Sequence, residues 1–277
     1  MKKHLKNCLL GLSLFLAYSL CCESVFAQKQ AARAAYYRFT HIKDSTQNAK
    51  VWTEEFLLAF NADKSIYTSH TKLVQDSVNA EIIKNAEESE SEEVDMGTYT
   101  PVTAEQVFNN GNKLAVVKNF NGADYLINEI TDKINWKISA ETKTILGYNC
   151  QEATGTWKGR TYTAWFTTDI PVSFGPWKLH GLPGLILEAN DKTGRITFSC
   201  TKVVPPVKLP SAVSLDLPRE LTTTTLAQYE RMEKAYAENL DMDAFDPQSV
   251  MMLMSSGQTK STNGKKLSIN FPLELEK

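Results

Sequence analysis

Histidine and the common catalytic motifs are scarce in this sequence. Only four of its 277 residues are histidine, and of these His41, His70 and His180 lie beyond residue 27. The chain has no Gly-x-Ser-x-Gly segment and no glycine-rich phosphate loop, and beyond residue 27 it has no closely spaced His and Cys, so the signatures of a serine hydrolase, a nucleotide loop and a zinc site are missing. These absences predict a protein that is not an enzyme and that has no cofactor and no metal ion.

A surplus of charge of one sign is also absent. The formal net charge is −2, and charged residues make up 22% of the chain. Proteins that bind nucleic acids carry a basic surface that neutralises phosphates, and such a surface needs an excess of Lys and Arg. The composition therefore excludes nucleic acid as an expected partner.

Long apolar runs occur only at the N-terminus, in the pattern of a secretory signal peptide. Three lysines among the first six residues precede the run from Leu9 to Leu20, which is shorter than the ~20 residues of a membrane-spanning helix. Val25-Phe26-Ala27 then supplies a cleavage site. We expect loss of residues 1–27 and export of residues 28–277 as a single β-rich domain to the periplasm or the outer membrane, with no later transmembrane segment.

Cysteine is rare once the signal peptide is removed. Cys8, Cys21 and Cys22 leave with it, so Cys150 and Cys200 remain. An even pair in an oxidising compartment predicts a disulfide. Its loop of about 50 residues would stabilise the fold by roughly 4 kcal/mol. Two buried free thiols are the alternative, because Cys also packs well in apolar cores.

Alternation of apolar and polar residues predicts a mainly β fold. We expect a curved antiparallel sheet or a partly open β-barrel. A hairpin is expected around Asn190–Gly194, where Gly194 is placed to take a positive φ. The clearest strand-like segments are Tyr36–Ile42, Phe56–Phe60, Ser65–Thr68, Leu114–Val117, Arg160–Thr167, Leu185–Ala189 and Arg195–Cys200.

One helix is predicted, near the C-terminus. Leu226, Tyr229 and Met232 begin a series of apolar residues at three- and four-residue steps, which indicates a helix over 225–239 packed on the sheet. The block of Glu and Ser within about 81–97 cannot be buried and predicts a mobile acidic loop. Ser, Gly, Lys and Asn at about 255–266 predict a second flexible segment.

The centre of the chain contains a rigid double corner. In Leu182-Pro183-Gly184-Leu185, Pro183 presets φ and Gly184 would accept the positive φ of a type II turn. Gly175-Pro176 predicts an earlier corner, and Gly181 allows close backbone approach. The corner is interpreted either as a structural lock on the sheet or as an apolar lip that contacts a ligand or partner. The candidate binding residues are Trp165, Trp177, His180, Leu182, Leu185 and Ile186.

The hexapeptide Gly181–Ile186 is GLPGLI, and it resembles the GLPGLI family of exported Bacteroidetes proteins. The segments Ile145–Cys150 and Ala164–Pro171 and the ending Asn270–Glu274 are similar to further segments of that family. The resemblance implies secretion in a bacterium with two membranes, and no activity, because the family has no established biochemical function. A looser similarity to half-barrel carriers of the LolA type implies only a fold.

Three hypotheses for function follow. The first is a non-enzymatic envelope protein that binds a lipid, another apolar ligand or an envelope protein. The second is an accessory or assembly factor that docks on an outer-membrane complex through an exposed apolar patch at Trp177–Ile186. The third is soft-metal binding by the methionines at 242, 251, 252 and 254, or an unrecognised hydrolase built on His180 with the nearby Asp169, Glu188 and Asp191. The oligomeric state is not assigned.

The signal peptide is tested by the mass of the exported protein. We expect the mature chain to begin at Gln28 and to carry no lipid. A charge placed in the apolar run, Leu14→Arg, should abolish cleavage because the run would no longer enter the export machinery. A lipid-modified N-terminus at Cys21 would contradict the prediction, which rests partly on Leu20 being larger than the residue that lipid attachment prefers.

Overall fold

The computed structural model describes residues 32–46, 50–89, 94–96, 101–111, 113–129, 133–206, 209–239 and 272–275. These residues form twelve strands in one sheet and two helices. The strands are β1 Arg33–His41, β2 Trp52–Phe60, β3 Ser65–Ser69, β4 Gln106–Asn109, β5 Leu114–Phe120, β6 Ala123–Glu129, β7 Lys137–Ile145, β8 Tyr148–Trp157, β9 Arg160–Thr167, β10 Leu185–Asp191, β11 Ile196–Val204 and β12 Thr222–Thr224. The helices are α1 His70–Glu88 and α2 Leu226–Asn239.

The sheet is open, and its order is β12-β6-β5-β4-β3-β2-β1-β11-β10-β9-β8-β7. Sequential strands pair on both sides of β1, and all pairs are antiparallel except β12 with β6. The long-range pairing of β1 with β11 therefore joins two meanders into one sheet. The predicted fold, mainly β with a curved antiparallel sheet and a C-terminal helix, is confirmed.

Tight hairpins connect the strands where the sequence places a glycine second in the turn. Asn121-Gly122, Leu146-Gly147 and Lys158-Gly159 each have positive φ at both residues, as in type I′ turns. Gly194 has φ +70°, which confirms the prediction for that residue. These turns set the register of the neighbouring strands.

The two faces of the sheet bury different sets of residues. The inner face carries a large cluster of aromatic and aliphatic side chains, within which Phe39 and Phe198 stack at 4.9 Å between ring centroids. A smaller cluster on the other face includes Leu57 and Ile66 and is covered by Val213. Each fully buried side chain of this size contributes roughly 1.5–3 kcal/mol, so the inner face holds most of the hydrophobic stabilisation.

Helix α1 is not in the predicted set, and it corrects the predicted acidic loop. The loop was expected at about 81–97, but residues 81–88 form the last turns of α1. Ser69 caps the helix by accepting a hydrogen bond from the Lys72 amide at 2.9 Å. No residue of α1 is buried, so it has no apolar stripe for the sequence to reveal. Residues 1–27, 90–93, 97 and 255–266 and the methionines at 242, 251, 252 and 254 lie outside the described residues.

The predicted disulfide is not present in the structure, where Cys150 and Cys200 are both buried free thiols, as in the alternative. Cys150 is on β8 and Cys200 on β11, with β9 and β10 between them. Two strands therefore stand between the strands that carry the cysteines, and the two thiols form no bridge. No described helix is long and apolar enough to cross a membrane.

Both thiols should stay reduced and unreactive in the folded protein. Burial raises the pKa of Cys150 and raises that of Cys200 to about 12, so little reactive thiolate is present near neutral pH. Mass spectrometry of protein purified without reductant should show two alkylated cysteines after denaturation and almost none before it. A mass two daltons lower, with a melting temperature that falls on reduction, would contradict this.

Candidate functional site

The segment between β9 and β10, residues 168–184, folds back into a compact corner. The amides of Val172 and Leu185 both donate to the carbonyl of Ile170, at 2.8 and 3.0 Å. Phe174 and His180 form an isolated antiparallel bridge, and the Ile186 amide donates to the Phe174 carbonyl at 3.1 Å. The corner is thus held by its own main chain and by the start of β10.

Two glycines of the corner are required by packing. A Cβ on Gly184 would lie 2.1 Å from the carbonyl oxygen of Thr167. One on Gly175 would lie 2.8 Å from Cδ1 of Ile186 and 2.9 Å from the carbonyl oxygen of Leu179. The predicted positive φ belongs to Gly181, at +92°, and not to Gly184. Gly184 is glycine because β9 passes against its backbone.

Trp177 adopts a backbone conformation that is unusual for a residue with a side chain. Its φ is +53°, which costs roughly 1–2 kcal/mol. The indole is buried and stacks on Phe198, with ring centroids 6.3 Å apart. The packing of this large aromatic ring on the inner face offsets the local strain.

The structure places most of the candidate binding residues inside the fold. Trp177, His180, Leu182, Leu185 and Ile186 are all buried, with at most 8% of their surface exposed. The exposed apolar patch expected at Trp177–Ile186 is therefore not formed. These burials support the interpretation of the corner as a structural lock.

His180 makes structural contacts and is not joined to the acids expected around it. Its Nδ1 lies 2.9 Å from the Lys178 carbonyl oxygen, and its own carbonyl accepts a hydrogen bond from Trp136 at 2.8 Å. Burial lowers the pKa of His180 below its usual value, which favours a neutral ring that donates through Nδ1.

Two of the expected acids, Glu188 and Asp191, have other partners. Glu188 pairs with Lys143, and Asp191 accepts from Thr193 at 2.6 Å and from the Ile196 amide at 3.0 Å. Within the described residues there is no group of three His, Cys, Asp or Glu side chains that could hold a metal.

Trp165 is the one candidate binding residue that is not buried. It is half-buried, in register with Glu152 of β8 and Glu188 of β10. The Lys143 ammonium lies 4.4 Å from the Trp165 ring centroid, within cation–π distance. Lys143 therefore already covers part of this ring.

A buried ionic cluster beside the corner is absent from the sequence-based predictions. Nζ of Lys178 is 2.5 Å from Oε1 of both Glu129 and Glu274, and Nζ of Lys158 is 3.0 Å from Glu129 and 3.8 Å from Glu274. Burial alone would lower the pKa of Lys178, but Glu105, Glu274 and Glu129 together raise it. Burial opposes ionisation of Glu129 too, yet the two lysines hold its pKa below the usual value. Lys178 and Glu129 are thus kept charged.

Glu274 belongs to a short C-terminal segment, Pro272–Leu275, called the tail below. Arg160 is buried at the start of β9 and donates from Nη2 to the Pro272 carbonyl and from Nε to the Leu273 carbonyl, the latter at 3.1 Å. The Leu275 amide donates to the Lys158 carbonyl at 3.0 Å. The surface that holds the tail is called the tail groove, formed by Lys158, Arg160 and Lys178. In the sequence, Arg160 lies in a strand-like segment and Lys178 lies within the corner motif. Their positive charge was therefore the only feature that could have indicated a role in binding the tail.

Sequence comparison matches the corner to a known family. A family model described as "Protein of unknown function (Porph_ging)" matches residues 156–188. This short stretch is GLPGLI-type. It runs from the end of β8 through the corner to β10. No curated protein sequence matches the chain.

Structure comparison shows the fold alone. PNGF-II, solved in two crystal forms (space groups C2 and P21), is 21% identical with a TM-score of 0.50, over 73% of this chain and 32% or 33% of PNGF-II. The chain thus corresponds to about a third of that protein. An uncharacterized conserved protein from Thermus thermophilus is 5% identical over 74% of this chain and 99% of its own, with a TM-score of 0.37. The LolA-type similarity is not confirmed by these neighbours.

Two glycine substitutions distinguish the effect of packing on stability from the effect of backbone conformation. Gly184→Ala should lower the free energy of unfolding by about 3 kcal/mol or more, because its Cβ would overlap backbone atoms of β9. Gly181→Ala should cost about 1 kcal/mol, because only the positive φ opposes it, and the nearest atom to its Cβ is 3.9 Å away. Urea unfolding measures both, and equal losses would contradict this account of the corner.

Proposed function

We propose that this protein is a non-enzymatic protein of the bacterial envelope that binds another envelope polypeptide at the exposed edge strand β7. The side chains of the corner pack in the core, and the corner supports the sheet. The binding surface then lies among main-chain and side-chain groups that the fold leaves accessible.

The filled inner face favours a polypeptide over a lipid. Tyr37, Phe60 and Phe166 are among the largest fully buried side chains, and the inner cluster continues through Phe198. A carrier of apolar ligands needs an apolar cavity of some hundreds of cubic ångströms. Aromatic rings packed in this way occupy the side of the sheet where such a cavity would be expected.

The observation that carries the proposal is the position and exposure of β7. It ends the sheet opposite β12, and of its nine residues only Ile145 is buried. Ile138 on β7 and Leu146 in the following turn are each 48% exposed. A terminal strand presents a row of main-chain donors and acceptors, and an extended segment of a partner can add to it as a further strand.

The same strand carries features that oppose random pairing. Its register with β8 shifts between Ile138 and Thr142, and Lys137, Glu141 and Lys143 place charges along it. Bulges and charges are the usual protection of natural edge strands against self-association. A partner with matching shape and charge would pair where another copy of β7 would not.

The proposal is tested by photo-cross-linking in cells, with a photoreactive residue at Thr142. We expect one discrete product, whose partner is identified by mass spectrometry and then purified for a binding measurement. Adding Lys at Ala140 and Thr144 should weaken that binding by about tenfold or more, which is ~1.4 kcal/mol. Far-UV circular dichroism should be unchanged.

The matched control adds two lysines to α1, Val78→Lys and Ile83→Lys, at residues that are 49% and 46% exposed. This variant should bind the partner as the unmodified protein does. If Thr142 gives no more products than a photoreactive residue at Val78, the edge-strand proposal fails. A lipid bound one to one in native mass spectrometry would replace it with the apolar-ligand hypothesis.

A further inference from the structure

We propose that the tail groove is a recognition site for an extended acidic peptide, and that the chain's own tail, Pro272–Leu275, is its resident and exchangeable ligand. This site is separate from the edge strand β7, and the two proposals are tested independently. Its class of ligand is an extended segment with one glutamate at a defined position.

Part of the groove reads main-chain atoms, which every extended peptide has. The Arg160 guanidinium donates to two successive carbonyls, of Pro272 and Leu273. The Lys158 carbonyl accepts the Leu275 amide at 3.0 Å. The guanidinium donors and the strand-like hydrogen bond of the amide recognise the backbone conformation of the peptide. Selectivity for a particular side chain must come from neighbouring groups.

The other part of the groove selects a negative charge. Lys178 has only 5% of its side chain exposed and lies 2.5 Å from Oε1 of Glu274. Lys158 approaches the other oxygen of Glu274 at 3.8 Å. The carboxylate therefore lies between two ammonium groups, where a neutral side chain would not satisfy them.

Charge balance explains why the groove needs an occupant. With the tail in place, Lys158 and Lys178 face Glu129 and Glu274, so two positive charges meet two negative ones. Glu105 also raises the pKa of Lys178 through its charge, but Glu105 forms its own ion pair with Lys118, at 3.5 Å. Removal of Glu274 would leave one buried ammonium without its counter-charge, which is strongly unfavourable.

Because the tail is covalently attached to the chain, it competes with any peptide added in trans. The tail is separated in sequence from Asn239, the last residue of α2, by residues 240–271, and it is far in sequence from the residues that hold it. A tethered ligand acts at an effective concentration on the order of a millimolar. A peptide added in trans must compete with the attached tail. We therefore expect the full chain to bind an added peptide weakly and a chain without the tail to bind it well.

The test uses a chain that ends at Asn270 and a fluorescent peptide of residues 270–277. Fluorescence anisotropy should show saturable binding to the shortened chain and at least tenfold weaker binding to the full chain at the same concentrations. The Glu274→Gln peptide should bind the shortened chain at least tenfold more weakly. The Glu276→Gln peptide loses the same charge two residues further on and should bind like the unmodified peptide.

A second measurement holds if the shortened chain does not fold. In the full chain, Glu274→Gln should raise amide hydrogen exchange in the C-terminal fragment at least tenfold, and Glu276→Gln should leave it unchanged. Equal exchange in the two variants, or a folded shortened chain that ignores the peptide, would overturn the proposal. Neither measurement involves β7, so loss of the edge-strand partner would not affect them.

Discussion

Close contact between the corner and the end of β9 is the constraint on which the rest of this structure depends. Gly184 has no side chain, and its backbone lies where a Cβ would be 2.1 Å from the Thr167 carbonyl oxygen. That approach turns the chain directly into β10, whose first residues are fully buried. It also fixes Trp177 on the inner face in spite of its positive φ. A looser corner would lose both contacts at once, because interiors tolerate few voids.

The corner also decides where charge is buried. Lys178 lies two residues before His180, and its carbonyl accepts the His180 ring nitrogen's hydrogen bond while its ammonium meets Glu129 and Glu274. A rigid main chain thus holds a cation in a poorly hydrated place, where only a carboxylate from elsewhere in the chain can balance it. This links a glycine-rich motif, which looks purely structural, to the tail close to the end of the sequence.

Local patterns predicted elements that meet the core and missed one that does not. Strands such as β1 and β9 alternate in burial, and α2 repeats with the helical period, because one side of each meets the core. Helix α1 has no buried residue, so its sequence carries no apolar period and resembled a charged loop. The predicted disulfide is absent from the structure for a different reason: sequence spacing does not reveal strand order, and β9 and β10 lie between the strands that carry the two cysteines.

The sequence by itself determined that this chain is mainly β, that its centre needs glycine and proline, and that no known catalytic motif is present, since these follow from residue type and short-range periodicity. Only the tertiary structure decided which side chains are buried at the corner, and it left Trp165 alone among the candidate binding residues half-buried. It alone brought Lys158, Lys178 and Glu274 together. Burial and ion pairing depend on contacts between distant segments, and no local pattern encodes them.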